Sequence, residues 1–301
     1  MTDLAIKCID AKGIITKTDL PVCDYAANPY VCCTHACRYC YALFMKRFTN
    51  HPEPWGAFLD VKEWPPIRDP SRYAGKEIFI GSVTDPYLLQ EAEFERTRSL
   101  LEQLRGSGAR ISIATKSDLI LRDLDLISGF PEARVSWSIN TLDESFREDM
   151  DSAVSVVRRL EAMRRFHDAG IRTTCFISPI FPGITDPFRI IDEAKDACNL
   201  VWLENLNLRG SFKSDIMGYI TDRYPDLVPL YDRIYNHKDP SYWSDLDVRM
   251  RAFCSEEGLE YVTNDDGMSR PFGDPPIVVN YFFHEKIRKS SKREGRDARV
   301  A

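Results

Sequence analysis

Short apolar runs and stretches of helical spacing alternate along the middle of the chain. The run at 133–140 shows this best, because Val135, Trp137 and Ile139 lie on one face of a strand and the residues between them are polar. Strands are predicted at 76–82, 109–115, 133–140, 171–178 and 199–208, after an extended piece at 25–31, and helices at 91–108, 117–128, 154–166 and 187–197. This alternation, repeated about six times, predicts parallel strands joined by right-handed crossovers, with helices outside.

The polar faces of these strands favour an incomplete barrel over an open sheet. A central strand of an open sheet tends to be apolar on both faces, whereas a barrel strand can turn one face toward a lumen. The strand at 133–140 has a wholly polar second face. Polar residues also follow the strand ends, at Ser82, Thr84, Lys116, Ser178 and Asn207. Because β/α barrels carry their active sites at that end, we expect a partial barrel with a polar mouth.

The alternation stops after Arg209. Helices are predicted at 225–236 and 241–257, and a late strand at 259–263 and an apolar segment at 277–283 are expected to close the open side of the barrel. The predicted organisation is an N-terminal segment (1–24), the partial barrel (25–208), a helical extension that shapes substrate access (209–285) and a basic tail (286–301).

Composition and charge limit the range of partners that the protein could bind. The chain has 301 residues, 44% of them hydrophobic, without an apolar run long enough to span a bilayer and without a secretory signal, so we expect a cytoplasmic protein that does not enter the membrane. The tail from Lys286 carries seven Lys and Arg against two acids, or +5, so residues 1–285 carry −6 minus +5, or −11. An acidic body is a poor match for nucleic acid, whereas the tail could bind an acidic partner or be a solvated end.

Four of the nine cysteines crowd into one loop, "VCCTHACRYCYA". Cys33, Cys37 and Cys40 are spaced C-x3-C-x2-C, and such a triplet can hold three irons of a [4Fe-4S] cluster while the fourth iron stays open to a chelating ligand. The alternative is zinc, with Cys37 and Cys40 as half of a knuckle, although the other cysteines provide no distant pair. Cys32 could pack against the loop or act as a spare ligand.

Six motifs in order resemble one family. They are "CTHACRYCYA", "GSVTDPY", "ATKSDLILRDLDLI", "SINTLDE" and "ISPIFPGITD", preceded by "NPY". From about Ile15 to Leu208 the chain resembles the spore photoproduct lyase-like branch of the radical S-adenosylmethionine (SAM) superfamily, and within it the proteins encoded as tandem "mobile pairs". The resemblance implies a partial (β/α)6 barrel, a [4Fe-4S] cluster and SAM as cofactors. It also implies a reductant such as flavodoxin or ferredoxin, and a tandem-encoded radical SAM partner.

The resemblance also implies roles for individual residues. Cys33, Cys37 and Cys40 would hold the cluster. Ser82 and Thr84 stand where the superfamily binds the methionine amino group, Lys116 and Ser138 or Asn140 where it contacts the ribose and the methionine carboxylate, and Ile180 where backbone groups meet the adenine. The flat ring of Tyr39 could lie against the adenine or pack the loop onto the barrel.

The substrate does not follow from the resemblance. Tyr41 matches a tyrosine of the lyase's hydrogen relay, but no cysteine stands between Cys40 and Cys175 to match its hydrogen donor, and Cys175 is expected to face the helices. Candidates for substrate contact are Glu204, Asn205, Asn207 and Arg209. Arg209 could grip a carboxylate or phosphate, or pair with Asp215.

The leading hypothesis is an enzyme that cleaves SAM reductively to a 5′-deoxyadenosyl radical, which abstracts hydrogen from an unidentified substrate. Two alternatives are a DNA photolesion repair lyase and a zinc-stabilised interaction module without catalysis.

Overall fold

The fold was obtained as a computed structural model, which describes residues 4–20, 22–208, 210, 212–263 and 273–280. Its strands are β1 (Ala5–Asp10), β2 (Ile15–Lys17), β3 (Tyr25–Ala27), β4 (Tyr30–Val31), β5 (Phe58–Glu63), β6 (Glu77–Ile80), β7 (Arg110–Thr115), β8 (Glu132–Ser138), β9 (Arg172–Ile180), β10 (Leu200–Asn205), β11 (Glu260–Val262) and β12 (Ile277–Asn280). Its α-helices are α1 (Glu91–Phe94), α2 (Arg96–Leu104), α3 (Leu124–Ile127), α4 (Glu144–Met150), α5 (Val156–Asp168), α6 (Pro187–Ala194), α7 (Phe212–Arg223), α8 (Val228–Tyr235) and α9 (Ser241–Glu256). Over these described ranges, no helix is both long and apolar enough to cross a bilayer.

The main sheet has nine strands in the order β11-β12-β10-β9-β8-β7-β6-β3-β2. From β3 through β10 every neighbouring pair is parallel, which confirms the predicted α/β class and the partial barrel. The C-terminal extension contributes β12 and β11, which continue the sheet in parallel beyond β10. All carboxyl ends of these strands therefore lie along one edge, where the candidate side chains converge.

The core lies between the sheet and its helices. Val135, Trp137 and Ile139 are fully buried on one face of β8, as their spacing predicts. Trp137 packs edge-on against Phe166 of α5, with ring centroids 5.3 Å apart. Burying an aromatic or large aliphatic side chain of this kind stabilises the fold by about 1.5–3 kcal/mol. Cys175 is fully buried in the same core, as expected.

A single helix was predicted over 91–108, but the structure has two helices there, α1 and α2, so that prediction was wrong. Glu95 adopts a left-handed conformation (φ +50°) between α1 and α2. The buried carboxylate of Glu91 accepts hydrogen bonds from the backbone amides of Thr97 (2.9 Å) and Arg98 (3.1 Å), so it caps the second helix from within the first. The helix predicted at 117–128 is likewise a 3-10 turn (Leu119–Asp123) followed by α3.

A small second sheet supports the loop that contains the cysteines. Its order is β1-β5-β4, with β5 drawn from the Pro- and Trp-rich stretch at 50–75 and β4 leading directly into the loop. The sequence analysis predicted neither this sheet nor the helices α4 and α7.

Candidate active site at the barrel mouth

The cysteine loop is a series of tight turns between β4 and a 3-10 helix (Tyr41–Phe48). The amide of Ala36 donates to the carbonyl of Cys33 (3.2 Å), and the amide of Cys40 donates to the carbonyl of Cys37 (3.1 Å). Ala36 has φ +49°, and a Cβ on Gly56 would lie 2.6 Å from the Cβ of Ala36. A side chain at Gly56 would therefore displace the loop.

Distant backbone groups anchor the same loop. The amide of Arg38 donates to the carbonyl of Met150 (3.0 Å), and the amide of Ser152 donates to the carbonyl of His35 (2.8 Å). The loop is therefore attached to the end of α4, which follows the end of β8, so the cysteines lie at the carboxyl edge of the sheet.

The thiols of the three candidate ligands are buried within partly exposed residues and share charged neighbours. Burial raises the pKa of Cys33 well above its usual value, and Asp85, Cys37 and Cys40 add to the rise. Burial also raises the pKa of Cys37 and of Cys40, and the nearby Lys116 acts in the opposite direction on both. Across the described part of the chain, no three His, Cys, Asp or Glu side chains form a group that could hold a metal ion.

Cys32, the fourth cysteine of the loop, is in a different environment. Its side chain is fully buried, its backbone is left-handed (φ +73°), and its sulfur accepts a hydrogen bond from the amide of Gly56 (3.0 Å). The thiol is thus part of the packing beneath the loop, the first of the two roles considered for it.

Asp85 is a buried residue that connects several elements, and the sequence analysis did not single it out as a site residue. Its carboxylate accepts hydrogen bonds from the hydroxyl of Thr115 (2.8 Å) and from the amides of Tyr87 (2.8 Å) and Lys116 (2.7 Å), and it lies 2.9 Å from Nε2 of His35. Burial alone would raise the pKa of Asp85, but His35 and the amide donors outweigh it and lower the pKa.

Two buried polar groups at the strand ends have no hydrogen-bond partner among the described residues. They are the ammonium of Lys116 and the side-chain amide nitrogen of Asn140. The ammonium of Lys116 lies 5.4 Å from the centre of the Tyr39 ring. Leaving such groups buried and unsatisfied costs about 1–3 kcal/mol each, so both are candidates for contact with a ligand or an ordered water.

Tyr39 is held by an ion pair that the sequence analysis missed. Its hydroxyl donates to Asp151 (3.0 Å), whose other oxygen accepts from Arg159 (2.9 Å), and both charged side chains are fully buried. Arg159 also donates to the carbonyl of Ser138 (3.1 Å). Burial would raise the pKa of Asp151, but Lys116 and Arg159 outweigh it and lower the pKa. The one feature of the sequence that could have indicated this ion pair is Arg159, a charged residue on the apolar face of α5.

The remaining cofactor candidates follow the ends of three strands. The hydroxyl of Ser82 accepts from the side-chain amide of Asn28 (2.9 Å), and that of Thr84 donates to the carbonyl of Cys32 (2.5 Å). Ser138 and Ile180 are the last residues of β8 and β9. Gly81 must be glycine, because its φ is +95° and a Cβ would lie 2.7 Å from Pro86.

The predicted substrate contacts are only partly brought together. Tyr41 is 66% exposed and its hydroxyl donates to the carbonyl of Ser82. Glu204 accepts from the hydroxyl of Ser178 (2.7 Å) and acts on Tyr41 electrostatically. Asn205 ends β10 and Asn207 is exposed just beyond it.

Arg209 lies outside the described residues. Its alternative partner, Asp215, forms a two-point ion pair with Arg38 (2.7 and 2.8 Å).

These residues fit an iron–sulfur cluster with a carboxylate-bearing ligand. Three thiols and an unpartnered ammonium suit an anionic cluster whose open corner takes an amino acid group. The amide of Asn140 offers a further neutral donor.

Known proteins match most of this chain. Residues 27–193 match the family model described as the radical SAM superfamily. An uncharacterized protein of Methanocaldococcus jannaschii is 36% identical over 219 residues, which cover 72% of this chain and 83% of that protein. An uncharacterized protein of Mycobacterium tuberculosis is 28% identical over 255 residues, which cover 78% of this chain and 75% of that protein.

A similar fold occurs in spore photoproduct lyase complexed with dinucleoside spore photoproduct. The TM-score is 0.51 at 15% identity, over 73% of this chain and 66% of the lyase chain, just under two thirds of its length. This likeness shows a shared fold. With the family match over more than half of the sequence, the chain belongs to the radical SAM superfamily, whose enzymes use a [4Fe-4S] cluster and S-adenosylmethionine.

Proposed function

We propose that Cys33, Cys37 and Cys40 hold a [4Fe-4S] cluster and that SAM binds beside it under Lys116 and Asn140. The observation that carries the proposal is the combination of three neighbouring thiols with two buried donors that lack a hydrogen-bond partner, all at one edge of the sheet. SAM offers a carboxylate and ribose oxygens that both donors could bind.

When bound, the cluster and SAM supply a 5′-deoxyadenosyl radical that abstracts hydrogen from the substrate. The residues of this chain hold the cluster and SAM and orient them. Lys116 neutralises part of the negative charge of the cluster and the methionine carboxylate. Ser82, Thr84, Ser138 and the backbone at Ile180 line the remaining SAM contacts.

We propose that the substrate binds at the mouth between the 3-10 helix and the end of β10. Tyr41, which is exposed and adjacent to Cys40, would pass a hydrogen atom to or from the substrate. Glu204 and Asn205 would orient a hydrogen-bonding group of the substrate. Residues 209–285 would shape access to this mouth. A flavodoxin- or ferredoxin-type cytoplasmic reductant would deliver the electron to the cluster. A tandem-encoded radical SAM protein would act together with this chain on the substrate.

The test is anaerobic reconstitution with iron and sulfide, followed by dithionite and SAM. We expect about four irons per chain and formation of 5′-deoxyadenosine. Cys33→Ser should abolish both, whereas Cys32→Ser should preserve both because its hydroxyl can still accept from the amide of Gly56. Zinc without iron, or 5′-deoxyadenosine from Cys33→Ser, would overturn the assignment.

A further inference from the structure

One buried carboxylate connects the two halves of the candidate site. Each oxygen of Asp85 receives two contacts. Oδ1 accepts from the hydroxyl of Thr115 and the amide of Tyr87, and Oδ2 accepts from the amide of Lys116 and lies beside Nε2 of His35. The residue itself is only 7% exposed. All four neighbours direct a nitrogen or a hydroxyl at the carboxylate, so its hydrogen-bonding capacity is used on both oxygens.

The two contacts of Oδ2 reach different parts of the site. His35 lies between Cys33 and Cys37, so its ring attaches the cysteine loop to the end of β6. Lys116 follows β7, and its amide fixes the backbone from which the unpartnered ammonium extends over Tyr39. A shift of Asp85 would therefore move the cysteines and the ammonium together.

No other side chain of similar size can replace the carboxylate. An asparagine has one acceptor oxygen, so its NH2 group would face either the amide of Tyr87 or the amide of Lys116. Those backbone donors cannot reverse their roles, whereas a hydroxyl or an imidazole can. Asp85→Asn would thus leave one buried amide unsatisfied in either orientation, although it keeps the shape of the residue.

We propose that Asp85 is a positioning residue that fixes the cysteine loop through His35 and the SAM-side ammonium through the Lys116 backbone, and so couples cluster placement to SAM affinity. The proposal rests on the proposed function for the identity of the two ligands. The attachment of the loop itself does not need either ligand.

The experiment compares Asp85→Asn, His35→Leu and the control Asp247→Asn. Asp247 is also a carboxylate that accepts from side chains, those of Tyr261, Asn280 and Arg251, but it lies on α9. In the metal-free proteins, hydrogen exchange is measured at the amides of Arg38 and Ser152, which hold the loop. In the reconstituted proteins, the SAM dissociation constant and the midpoint potential of the cluster are measured.

For Asp85→Asn we expect exchange at both amides to rise about tenfold, SAM affinity to fall about tenfold, and the potential to become more positive because a negative charge is lost. His35→Leu removes the group that faces Asp85, so it should accelerate loop exchange, and it should leave SAM affinity within about threefold of wild type because the Lys116 amide keeps its acceptor. Asp247→Asn should change none of the three quantities.

Wild-type exchange and SAM affinity in a folded Asp85→Asn variant would overturn the proposal, as would the same changes in Asp247→Asn. If Asp85→Asn does not fold, unaltered loop exchange in His35→Leu overturns it. If the wild type takes up no cluster but the exchange effects occur in the metal-free variants, the proposed function fails while the positioning role of Asp85 in the loop stands.

Discussion

Two groups of buried polar side chains lie in the same fold and differ in one respect. Around α1 and α2, the fully buried carboxylates of Glu91 and Asp123 are surrounded by donors. Glu91 accepts from Tyr30, from two backbone amides and from Arg122 (2.7 Å), and Asp123 accepts from Tyr87 (3.1 Å), Arg122 and Arg98. At the barrel mouth, the ammonium of Lys116 and the amide nitrogen of Asn140 donate to no acceptor in the part of the chain that the structure describes.

This difference distinguishes buried polar groups that stabilise the fold from buried polar groups that bind a ligand. A buried group with all its hydrogen bonds made contributes to stability, and removing its partner is costly. A buried donor without a partner lowers stability, and a fold tolerates it where a ligand will complete it. Substitutions in the first group should therefore affect stability alone, and those in the second should affect SAM binding alone.

The largest effect is expected at Lys116. Lys116→Met should weaken SAM binding about 100-fold, because a charge-assisted contact of roughly 2.7 kcal/mol is lost. The free energy of unfolding should change little, since the cost of burying an ammonium without a hydrogen bond offsets its attraction to the carboxylate of Asp151. Calorimetric SAM titration and urea unfolding measure the two quantities. Lys195→Met, which removes a lysine paired with Asp192 and Glu257, is the control and should bind SAM normally.

Arg122→Met should have the opposite profile. It removes contacts to two buried carboxylates, and we expect a loss of about 2 kcal/mol of unfolding free energy with SAM affinity intact. Arg158→Met breaks only an exposed pair with Asp118 and should cost less than about 1 kcal/mol. Loss of SAM binding in folded Arg122→Met would contradict the separation of the two groups.

Asn140→Leu is expected to weaken SAM binding about tenfold, because one neutral hydrogen bond of about 1.4 kcal/mol is lost. Its stability should not fall, because the amide nitrogen it removes has no partner in the described residues. A destabilised variant with normal SAM affinity would assign Asn140 to the structural group instead.

The smallest effect is expected at Tyr39. Tyr39→Phe removes the hydroxyl that donates to Asp151 but keeps the ring under Lys116. Asp151 retains Arg159 and the amide of Ala153, so about 1 kcal/mol of stability should be lost. SAM affinity should remain within about twofold of wild type if only the ring contacts the cofactor.

The sequence predicted the central strands well because each carries its pattern locally. The strands at 109–115 and 133–140 were placed within two residues of β7 and β8 at both ends. The break at Glu95 was missed because the residue that causes it, Glu91, acts through a side chain that competes for backbone amides. The helix α7 was missed because Ile216, Tyr219 and Ile220 are its only buried positions, too few to give a clear period.

The amino-acid sequence by itself determined the alternation of strands and helices and the spacing of the three cysteines, since both depend on residues near one another in the chain. Only the tertiary structure decided which buried polar groups are satisfied. The partner of His35 stands 50 residues away and that of Tyr39 stands 112 residues away. Hydrogen bonds across such separations form only when the sheet brings its strand ends to one edge, so no local pattern encodes them.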